Sequence, residues 1–381
     1  MTTPDNTTRF ITPLDVLFLR GNQSFGEPGS YGDSVMPPWP SVAAGAIRSR
    51  MLTDAGIDLA AFGRGDAAHA ELGTPSDPGT FVLHAFQVAW RVDDTVEILV
   101  APPADLFITA DENNQDKAHA HRLTPTRIHS GIETSSTLPL LPVLAQAGRS
   151  KAASGWWLKQ GGWQKYLCGQ EVPSEDLIHA GKLWSMDERV GVGLDNSTRS
   201  AEDGKLFTNR AVAMKPGVGF VAAISGATPP ATGLLRLGGD GRAAHIESAA
   251  IQWPEPNYAA IAEQGRCRLV LISPGLFAQG WLPNGCTQEG NALRFDLHGV
   301  KARLVAASVA RSEVVSGWDL ARWQPKPAQR LAPSGSVYWL EDLQAEPEAL
   351  RKLVAHGLWS ASCEDATRRA EGFNRFSLAH F

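Results

Sequence analysis

The sequence lacks the segments that mark secreted and membrane-spanning proteins. Residues 1–6 carry neither the basic n-region nor the apolar h-region of a signal peptide. No later apolar run approaches the roughly 20 residues that a membrane-spanning helix needs. We therefore expect a cytoplasmic protein without a membrane partner.

Cysteine is also scarce, since the 381 residues include four. The four are far apart and none forms a C-x-x-C pair: Cys168, Cys267, Cys286 and Cys363. This spacing excludes a standard zinc knuckle, and it predicts reduced, structural thiols and no bound metal.

Catalytic signatures are missing as well. The chain has no H-E-x-x-H, G-x-S-x-G, Walker A or paired-carboxylate motif, so we predict neither catalytic residues nor a cofactor. Gly239–Ala244 fits the pattern G-x-G-x-x-A, but the following residues give no convincing helix to hold a pyrophosphate at its N-terminus. A tight turn is the favoured interpretation of this segment.

The chain has no excess of positive charge. Its formal net charge is −5 and its sequence pI is about 6.1. These values argue against a free-standing nucleic-acid binder, but not against a subunit that holds RNA in one groove. Residues 301–330 contain six basic and two acidic residues, a net charge of +4. A solvated face is the ordinary explanation of such a segment.

The overall composition is typical of a globular protein. Hydrophobic residues make up 43% and charged residues 20% of the chain, which excludes wholesale disorder. The length suffices for two domains with separate cores, which we place at residues 1–210 and 211–381.

The first half of the chain predicts a β-α-β-β unit. Leu14–Arg20 is an almost continuous apolar run that fits a central strand, and Ser41 caps a helix that runs to about Leu52. Phe81–Trp90 and Val96–Val100 follow as two strands around a turn. This order opens a ferredoxin-like, RRM-like fold, whose sheet RNA-binding proteins use as a platform.

Two residues of the predicted helix are candidates for RNA contact. Gly45 in a helix interior costs about 1 kcal/mol relative to alanine, a cost that fits close approach of a backbone or a nucleic acid. Arg48 lies one turn further along the helix.

The second half predicts mostly strands. Six segments fit short strands, and Glu346–His356 fits a late helix. The strand segments are Val218–Ser225, Leu234–Leu237, Arg268–Ile272, Leu293–Leu297, Arg303–Val309 and Ala332–Glu341. The predicted fold class is therefore α+β, with two ferredoxin-like domains, long insertions and a projecting β-hairpin.

An aromatic segment of the first half combines rings with cations. Residues 153–167 interleave lysines with four rings, Trp156, Trp157, Trp163 and Tyr166. Such a set could stack bases and hold phosphates, although a core role for most of the rings is favoured.

A second polar segment carries two histidines. Residues 111–122 predict a mobile loop, in which His119 and His121 could serve general acid–base cleavage of RNA. A solvated loop with nothing to fix the imidazoles is the favoured interpretation.

The most informative segment is a predicted β-hairpin over Arg189–Thr208. Its apolar residues alternate with two glycines, and a turn-rich stretch covers Asp195–Gly204. A projecting hairpin cannot bury much of itself, so its polar tip is available to a partner. Candidate donors to phosphate and ribose oxygens are Asn196, Ser197, Thr198, Arg199 and Lys205, flanked by Arg189 and Arg210. An edge hairpin kept soluble by polar residues is the alternative.

The hairpin sequence R-V-G-V-G-L-D…T-R-S-A-E-D-G-K-L-F-T resembles that of the RAMP superfamily of CRISPR proteins. Within it, the chain is similar to the family of the third subunit of the Cmr (type III-B) effector complex. Further segments stand in the order expected of that family: Pro13–Gly21, Pro37–Arg48, Pro103–Leu106, Lys165–Gly169, Leu237–Arg242 and Pro333–Tyr338. One departure is Asn374, which replaces the second glycine of an expected C-terminal loop. Asparagine is well suited to left-handed backbone geometry.

The resemblance implies a non-catalytic subunit that binds the 5′ handle of CRISPR RNA, docks to the large cyclase subunit and contacts neighbouring backbone RAMP subunits. The corresponding hairpin of such proteins resembles a thumb that wedges against a flipped nucleotide. The predicted RNA-binding residues are Arg20, Gly45, Arg48, Arg189, Asn196, Thr198, Arg199, Lys205, Gly239, Arg242 and Arg375. Two alternatives remain: a RAMP endoribonuclease that uses His119 or His121, and a purely structural bridging subunit, which the acidic pI favours.

Overall fold

The computed structural model describes residues 7–19, 31–32, 34–111, 114, 117–127, 131–146, 151–195, 197–319 and 324–381. The strands are β1 (Thr7–Pro13), β2 (Tyr31–Gly32), β3 (Val82–Val92), β4 (Thr95–Val100), β5 (Leu106–Ala110), β6 (Ala118–Arg122), β7 (Thr124–Arg127), β8 (Leu140–Val143), β9 (Trp156–Lys159), β10 (Leu177–His179), β11 (Trp184–Leu194), β12 (Ala201–Met214), β13 (Val218–Ser225), β14 (Thr232–Arg236), β15 (Ala243–Ser248), β16 (Cys267–Leu271), β17 (Cys286–Glu289), β18 (Ala292–Leu297), β19 (Val300–Ser308), β20 (Glu313–Val315), β21 (Trp318–Asp319), β22 (Gln324–Pro325), β23 (Gln329–Leu331), β24 (Val337–Gln344) and β25 (Phe376–Ala379). The helices are α1 (Pro40–Asp54), α2 (Leu59–Arg64), α3 (Gln160–Leu167), α4 (Tyr258–Gln264), α5 (Pro347–His356) and α6 (Ala366–Ala370), with 3₁₀ turns at Ser174–Asp176 and Ala180–Lys182.

Two antiparallel sheets dominate the fold, which confirms the α+β class. One has eight strands in the order β10-β9-β4-β3-β13-β1-β15-β14, and the other has six in the order β17-β18-β19-β24-β16-β25. Among the described strands, β12 with β2 is the one parallel pair. None of the described helices combines the length and hydropathy that a membrane crossing requires. All four cysteines are free thiols.

Helix α1 packs on the first sheet through an apolar stripe at helical spacing. Ala43, Ile47 and Met51 are 5% exposed or less and join the main core. The helix begins at Pro40 rather than after a serine cap, since its N-cap residue makes no side-chain hydrogen bond. The prediction that Ser41 caps the helix is therefore wrong, because a proline with its fixed φ already favours the first helical position.

The central strand lies one segment earlier than predicted. β1 pairs with β13 on one side and β15 on the other. The predicted strand Leu14–Arg20 instead forms single bridges, from Leu17 to Val212 and from Phe18 to Gly239. Val16–Leu19 are buried, with Leu17 and Leu19 in the main core and Val16 and Phe18 packed with Ala211 of β12, whereas Leu14 is 57% exposed. Arg20 itself lies outside the described residues.

The remaining strand predictions hold more closely. β3 and β4 match the two strands predicted around a turn, and each of the six segments predicted after residue 210 overlaps an observed strand. The predicted late helix is α5, which buries Leu350 and Leu353 against the second sheet.

The predicted boundary between residues 210 and 211 falls inside strand β12. Strands β13, β14 and β15 come after that point, yet they belong to the first sheet. The division between the two sheets therefore lies after Ser248. The sequence pattern missed this point because a hairpin insertion separates strands that are neighbours in space.

Both sheets share one arrangement of four strands. In the first sheet these strands lie in the order β15-β1-β13-β3, and in the second in the order β25-β16-β24-β19. Numbered along the chain, each set has the spatial order 4-1-3-2, with every neighbouring pair antiparallel. Helix α1 connects the first two strands of the first set, and α5 and α6 connect the last two strands of the second.

A buried ion pair joins the two halves. Nη1 of Arg268 lies 2.5 Å from Oδ2 of Asp105, and both side chains are 1% exposed or less. The other carboxylate oxygen accepts a hydrogen bond of 2.7 Å from the Tyr166 hydroxyl. Arg268 also donates to the carbonyl oxygens of Tyr166 and His380. Asp105 and Tyr166 belong to two segments that carry the family resemblance. Their part in this buried network gives those segments a structural role.

Candidate nucleic-acid interface

The predicted hairpin is formed by β11 and β12, and it projects. The strands pair antiparallel, with a bulge between Val192 and Leu194. Residues 197–206 are all exposed. At the base, two backbone hydrogen bonds of 2.8 and 2.9 Å join Val212 to Leu17. The hairpin is therefore anchored at its base, and its outer part is exposed.

Two glycines give the hairpin different faces. A Cβ at Gly191 would lie 2.3 Å from the ring of Phe207, and one at Gly193 would lie 2.9 Å from the side chain of Lys205. The glycines thus allow these two side chains to lie across β11, which explains the V-G-V-G alternation. The opposite face carries four exposed aliphatic residues: Val190, Val192, Leu194 and Leu206.

Asp195 organises the turn at the tip. Its Oδ1 accepts hydrogen bonds from the Ser197 hydroxyl at 2.5 Å and from the backbone N–H groups of Ser197 and Thr198 at 2.7 and 3.1 Å. These hydrogen bonds, first that of the Ser197 hydroxyl, hold the pKa of Asp195 below its usual value. Arg199 follows with a positive φ of 55° and an exposed side chain. Asn196 lies outside the described residues.

The charges of the hairpin nearly cancel, so the hairpin as a whole is not basic. Residues 187–210 contain four basic and five acidic residues, a net charge of −1. Three of the cations form ion pairs: Arg189 with Asp187 at 2.8 Å, Lys205 with Glu202 at 2.6 Å, and Arg210 with Glu188 at 3.3 Å. Arg199 is the remaining cation, and it makes no ion pair with any described residue.

Three of the predicted residues lie at the base of the hairpin: Arg189, Gly239 and Arg242. Arg242 forms an ion pair of 2.5 Å with Asp15, and its guanidinium lies 5.0 Å from the ring centroid of Phe18. The backbone N–H of Gly239 donates to the Phe18 carbonyl oxygen at 2.8 Å. A backbone hydrogen bond, followed by the charges of Arg242 and Arg189, lowers the pKa of Asp15. Sequence analysis missed Asp15 and Phe18, although both lie in a segment of the family resemblance.

The segment from Gly239 forms the predicted tight turn. It connects β14 to β15, with Asp240 and Gly241 at positive φ angles of 58° and 62°. The N–H of Leu237 donates to the carbonyl oxygen of Arg242 across the turn. The turn holds Arg242 beside Asp15 at the hairpin base.

The two candidates on α1 differ in accessibility. Gly45 is exposed, and an added Cβ would meet nothing within 4 Å, so no contact within the described chain requires the glycine. Arg48 is half-buried and donates to the carbonyl oxygen of Leu72 at 3.2 Å, with its guanidinium 5.8 Å from the ring centroid of Phe81. Burial lowers the pKa of Arg48, while the charge of Glu371 opposes that shift.

The C-terminal loop faces inward. Asn374 adopts a positive φ of 59°, as predicted for a glycine substitute. Its amide donates to the carbonyl oxygens of Leu276 and Leu358 and accepts from the N–H of Leu276. Arg375 is 3% exposed and donates to the carbonyl oxygen of Ala355, and burial lowers its pKa to about 10. This position corrects the prediction that Arg375 contacts RNA.

Residues 118–122, which carry both histidines, form strand β6 against β5, so this part of the predicted mobile loop is instead a strand. His119 lies 3.3 Å from both Asp111 and Ser174. His121 contacts a threonine hydroxyl at 3.1 Å and the Gln146 amide at 2.6 Å. Burial and then the neighbouring His119 lower the pKa of His121. The two imidazoles line one cleft of about 670 Å³.

The aromatic segment belongs to the core. Trp156, Trp157, Trp163 and Tyr166 are each 6% exposed or less. Base stacking on these rings is therefore excluded in this conformation, and the favoured core interpretation is confirmed.

Comparison with known proteins identifies the family. A family model described as CRISPR-associated protein (Cas_Cmr3) matches residues 9–377. The chain is thus a CRISPR-associated protein. It belongs to the Cmr3 family, as the ordered motifs predicted.

Two solved structures are similar to the chain. One is a chain of the type III-B Cmr-beta complex bound to cognate target RNA, determined by cryo-EM, with 15% identity and a TM-score of 0.46 over 87% of this chain and 86% of that chain. The other is from the same complex with target RNA and AMPPnP in state 1, with 14% identity and a TM-score of 0.45 over 91% and 88%. Comparison with curated proteins gives no match.

Proposed function

We propose that this chain is the non-catalytic RNA-binding subunit of a type III-B Cmr interference complex. It binds the 5′ handle of CRISPR RNA, docks to the large cyclase subunit and contacts neighbouring backbone subunits. Membership of the Cmr3 family supports its place in a CRISPR complex. The observation that carries RNA binding is the hairpin whose base gathers Arg189, Gly239 and Arg242.

The two sets of four strands support a further part of the proposal. An antiparallel sheet in the order 4-1-3-2 is the arrangement expected of a ferredoxin-like domain. We therefore interpret the two sets as two such domains with insertions. The hairpin interrupts the first domain before its third strand, so in this proposal RNA contacts an insertion rather than the sheet.

The charges and ion pairs of the hairpin indicate which of its cations are available to bind phosphate. With a net charge of −1, the hairpin cannot attract RNA through its overall field. Arg199 needs no rearrangement to bind a phosphate. Arg189 and Lys205 must first leave Asp187 and Glu202, but such exposed pairs contribute only about 0–1 kcal/mol, so exchange for a phosphate is inexpensive.

The hairpin base supplies a fixed surface below the tip. The Arg242–Asp15 pair covers the ring of Phe18, and the Gly239 turn is tied to the same segment by a backbone hydrogen bond. A strand of RNA that follows the hairpin from Arg199 to Arg189 would meet this surface next. The handle is then held by phosphate contacts and by the shape of the surface.

The experiment is a salt titration of handle-RNA binding to the assembled complex. Arg199→Ala should weaken binding and lower the slope of log K against log salt by about 0.7, the value for one phosphate on a single strand. Adding Lys205→Ala should remove one further contact. Arg64→Ala removes an exposed cation from α2, away from the hairpin, and should change neither quantity. Unchanged binding by the double variant would assign the hairpin to protein contacts.

One observation favours the endoribonuclease as a second candidate. His119 and His121 are held by hydrogen bonds in a single cleft, and His119 is paired with a carboxylate of Asp111. Positioned imidazoles are what general acid–base cleavage of RNA requires. Loss of CRISPR RNA processing on substitution of both histidines would support this candidate.

A further inference from the structure

Three of the five basic residues that the structure describes in segment 301–330 form ion pairs. Arg303 is paired with Glu341 and Asp342, Lys301 with Asp296, and Lys326 with Glu371. Arg311 and Arg330 are exposed, and neither forms an ion pair with any described residue. These two arginines are therefore the unpaired cations of the described part of this segment, with the exposed Glu313 as an acidic neighbour on the strand that pairs with β23.

Arg330 lies in a cleft beside an exposed tryptophan. Trp281 and Arg330 both line a cleft of about 490 Å³, with Ser136 and Ser312 among its polar residues and Leu138 among its apolar ones. Trp281 is 40% exposed, and it is the one exposed member of the ten tryptophans whose side chains the structure describes. Arg311 adjoins the cleft in sequence at Ser312.

The indole is presented by a tight, anchored turn. Gln279 and Leu282 form a bridge across Gly280 and Trp281, and Gly280 has a positive φ of 72°. On one side Leu282 is 7% exposed, and on the other the buried Tyr338 hydroxyl donates to the carbonyl oxygen of Trp281 at 2.6 Å. The backbone under the indole is thus fixed before any ligand arrives, which reduces the entropy cost of binding.

We infer that this cleft is a second RNA contact, in which one base of a single strand stacks on Trp281 and an adjoining phosphate binds Arg330. An exposed aromatic ring beside an unpaired cation is the combination with which proteins bind single strands without sequence preference. The volume lies within the range of about 300–1,000 Å³ typical of ligand sites. An acidic peptide would use Arg330 but would leave the indole without a planar partner.

The cleft shares no lining residue with the proposed handle contact. The test measures binding of a fluorescein-labelled ten-nucleotide oligouridylate to the purified full chain by fluorescence anisotropy. Trp281→Ala should weaken binding about 5- to 150-fold, the equivalent of about 1–3 kcal/mol of stacking, whereas Trp281→Phe should retain most of the affinity. Arg330→Ala should weaken binding and lower the salt slope by about 0.7.

Matched controls separate this site from general effects of lost surface. Leu234→Ala removes an exposed apolar side chain and Arg64→Ala an exposed cation, and neither should change binding. The Trp281→Ala loss should also persist in a chain that carries Arg199→Ala. This persistence distinguishes failure of the cleft from failure of the hairpin, which is tested with handle RNA in the complex.

Two results would overturn the inference. One is wild-type affinity for the oligouridylate in both Trp281→Ala and Arg330→Ala, with thermal melting unchanged. The other is that Arg330→Ala keeps wild-type affinity for the oligouridylate but loses the binding of a ten-residue polyglutamate peptide that the unmodified chain shows. This result would make the cleft a protein-docking site.

Discussion

Replacing Asp105 by alanine should destabilise the protein more than any exposed substitution. The change leaves the guanidinium of Arg268 charged, 1% exposed and without its carboxylate, and the Tyr166 hydroxyl loses its acceptor. Burial raises the pKa of Tyr166, so its hydroxyl stays protonated and cannot replace the lost negative charge. Breaking one partner of a buried ion pair costs about 3–5 kcal/mol.

This cost converts to a measurable shift in melting temperature. An unfolding entropy of about 2.1 cal/mol/K per residue gives roughly 0.8 kcal/mol/K if the whole chain unfolds together, so calorimetry should record a decrease of about 4–6 °C. Asp66→Ala removes one partner of the exposed Arg64–Asp66 pair and should cost about 1 kcal/mol or less.

A double substitution tests the reason for the cost. Asp105→Leu with Arg268→Met replaces the pair by apolar side chains, which should recover most of the stability lost in Asp105→Ala. A melting temperature of Asp105→Ala within 1 °C of the wild type would refute the reasoning. So would a double variant less stable than Asp105→Ala, since the penalty would then not come from an unpaired buried charge.

Asn374→Ala should lower the free energy of unfolding by about 2–4 kcal/mol in urea titrations, because it leaves polar backbone groups of Leu276 unpaired and strains a left-handed residue; an unchanged midpoint would contradict this. Burial lowers the pKa of His84 to about 3, so stability should fall as pH drops from about 6.5 towards 3, by on the order of 2–3 kcal/mol at pH 4.5. His84→Gln should flatten that dependence in melts at pH 7 and 4.5, and an equally steep variant would exclude His84 as its source. His119→Ala with His121→Ala should leave CRISPR RNA maturation and target cleavage by the complex intact; slowing of about 100-fold or more with RNA binding preserved would establish the nuclease.

Local patterns predicted the elements that do not depend on distant segments. The hairpin, strands β3 and β4 and the apolar stripe of α1 follow from alternation, turn residues and helical spacing. The late helix at 347–356 follows from the same kind of pattern. In each of these the buried face is determined within a few residues of the chain.

The errors come from contacts between distant segments. The run Leu14–Arg20 is as apolar as a central strand, but its residues Val16–Leu19 are buried in part by β12, about 190 residues later, and β1 takes the sheet position. The last strand of the first sheet likewise ends only at Ser248, because the hairpin insertion precedes strands β13, β14 and β15. The sequence periodicity within either segment does not predict these long-range pairings.

The candidate site was predicted in part for the same reason. Arg189, Gly239 and Arg242 were selected by their residue types and family resemblance, and the structure gathers them at one base. Their ion pairs were not predictable, because Arg242 meets Asp15 across 227 positions of the chain. Arg375 was predicted to contact RNA from the resemblance alone, and no local pattern showed that the adjacent Asn374 would hydrogen-bond inward to Leu276 and Leu358.

The central claim is that the hairpin and its base hold the 5′ handle of CRISPR RNA. The most direct measurement is photo-crosslinking of handle RNA, with 4-thiouridine at each handle position in turn, to the assembled complex, followed by peptide mass spectrometry. We predict crosslinks from successive handle nucleotides to residues 187–210 and 237–242 of this chain. Handle crosslinks confined to other subunits, with complete peptide coverage of these two segments, would contradict the claim.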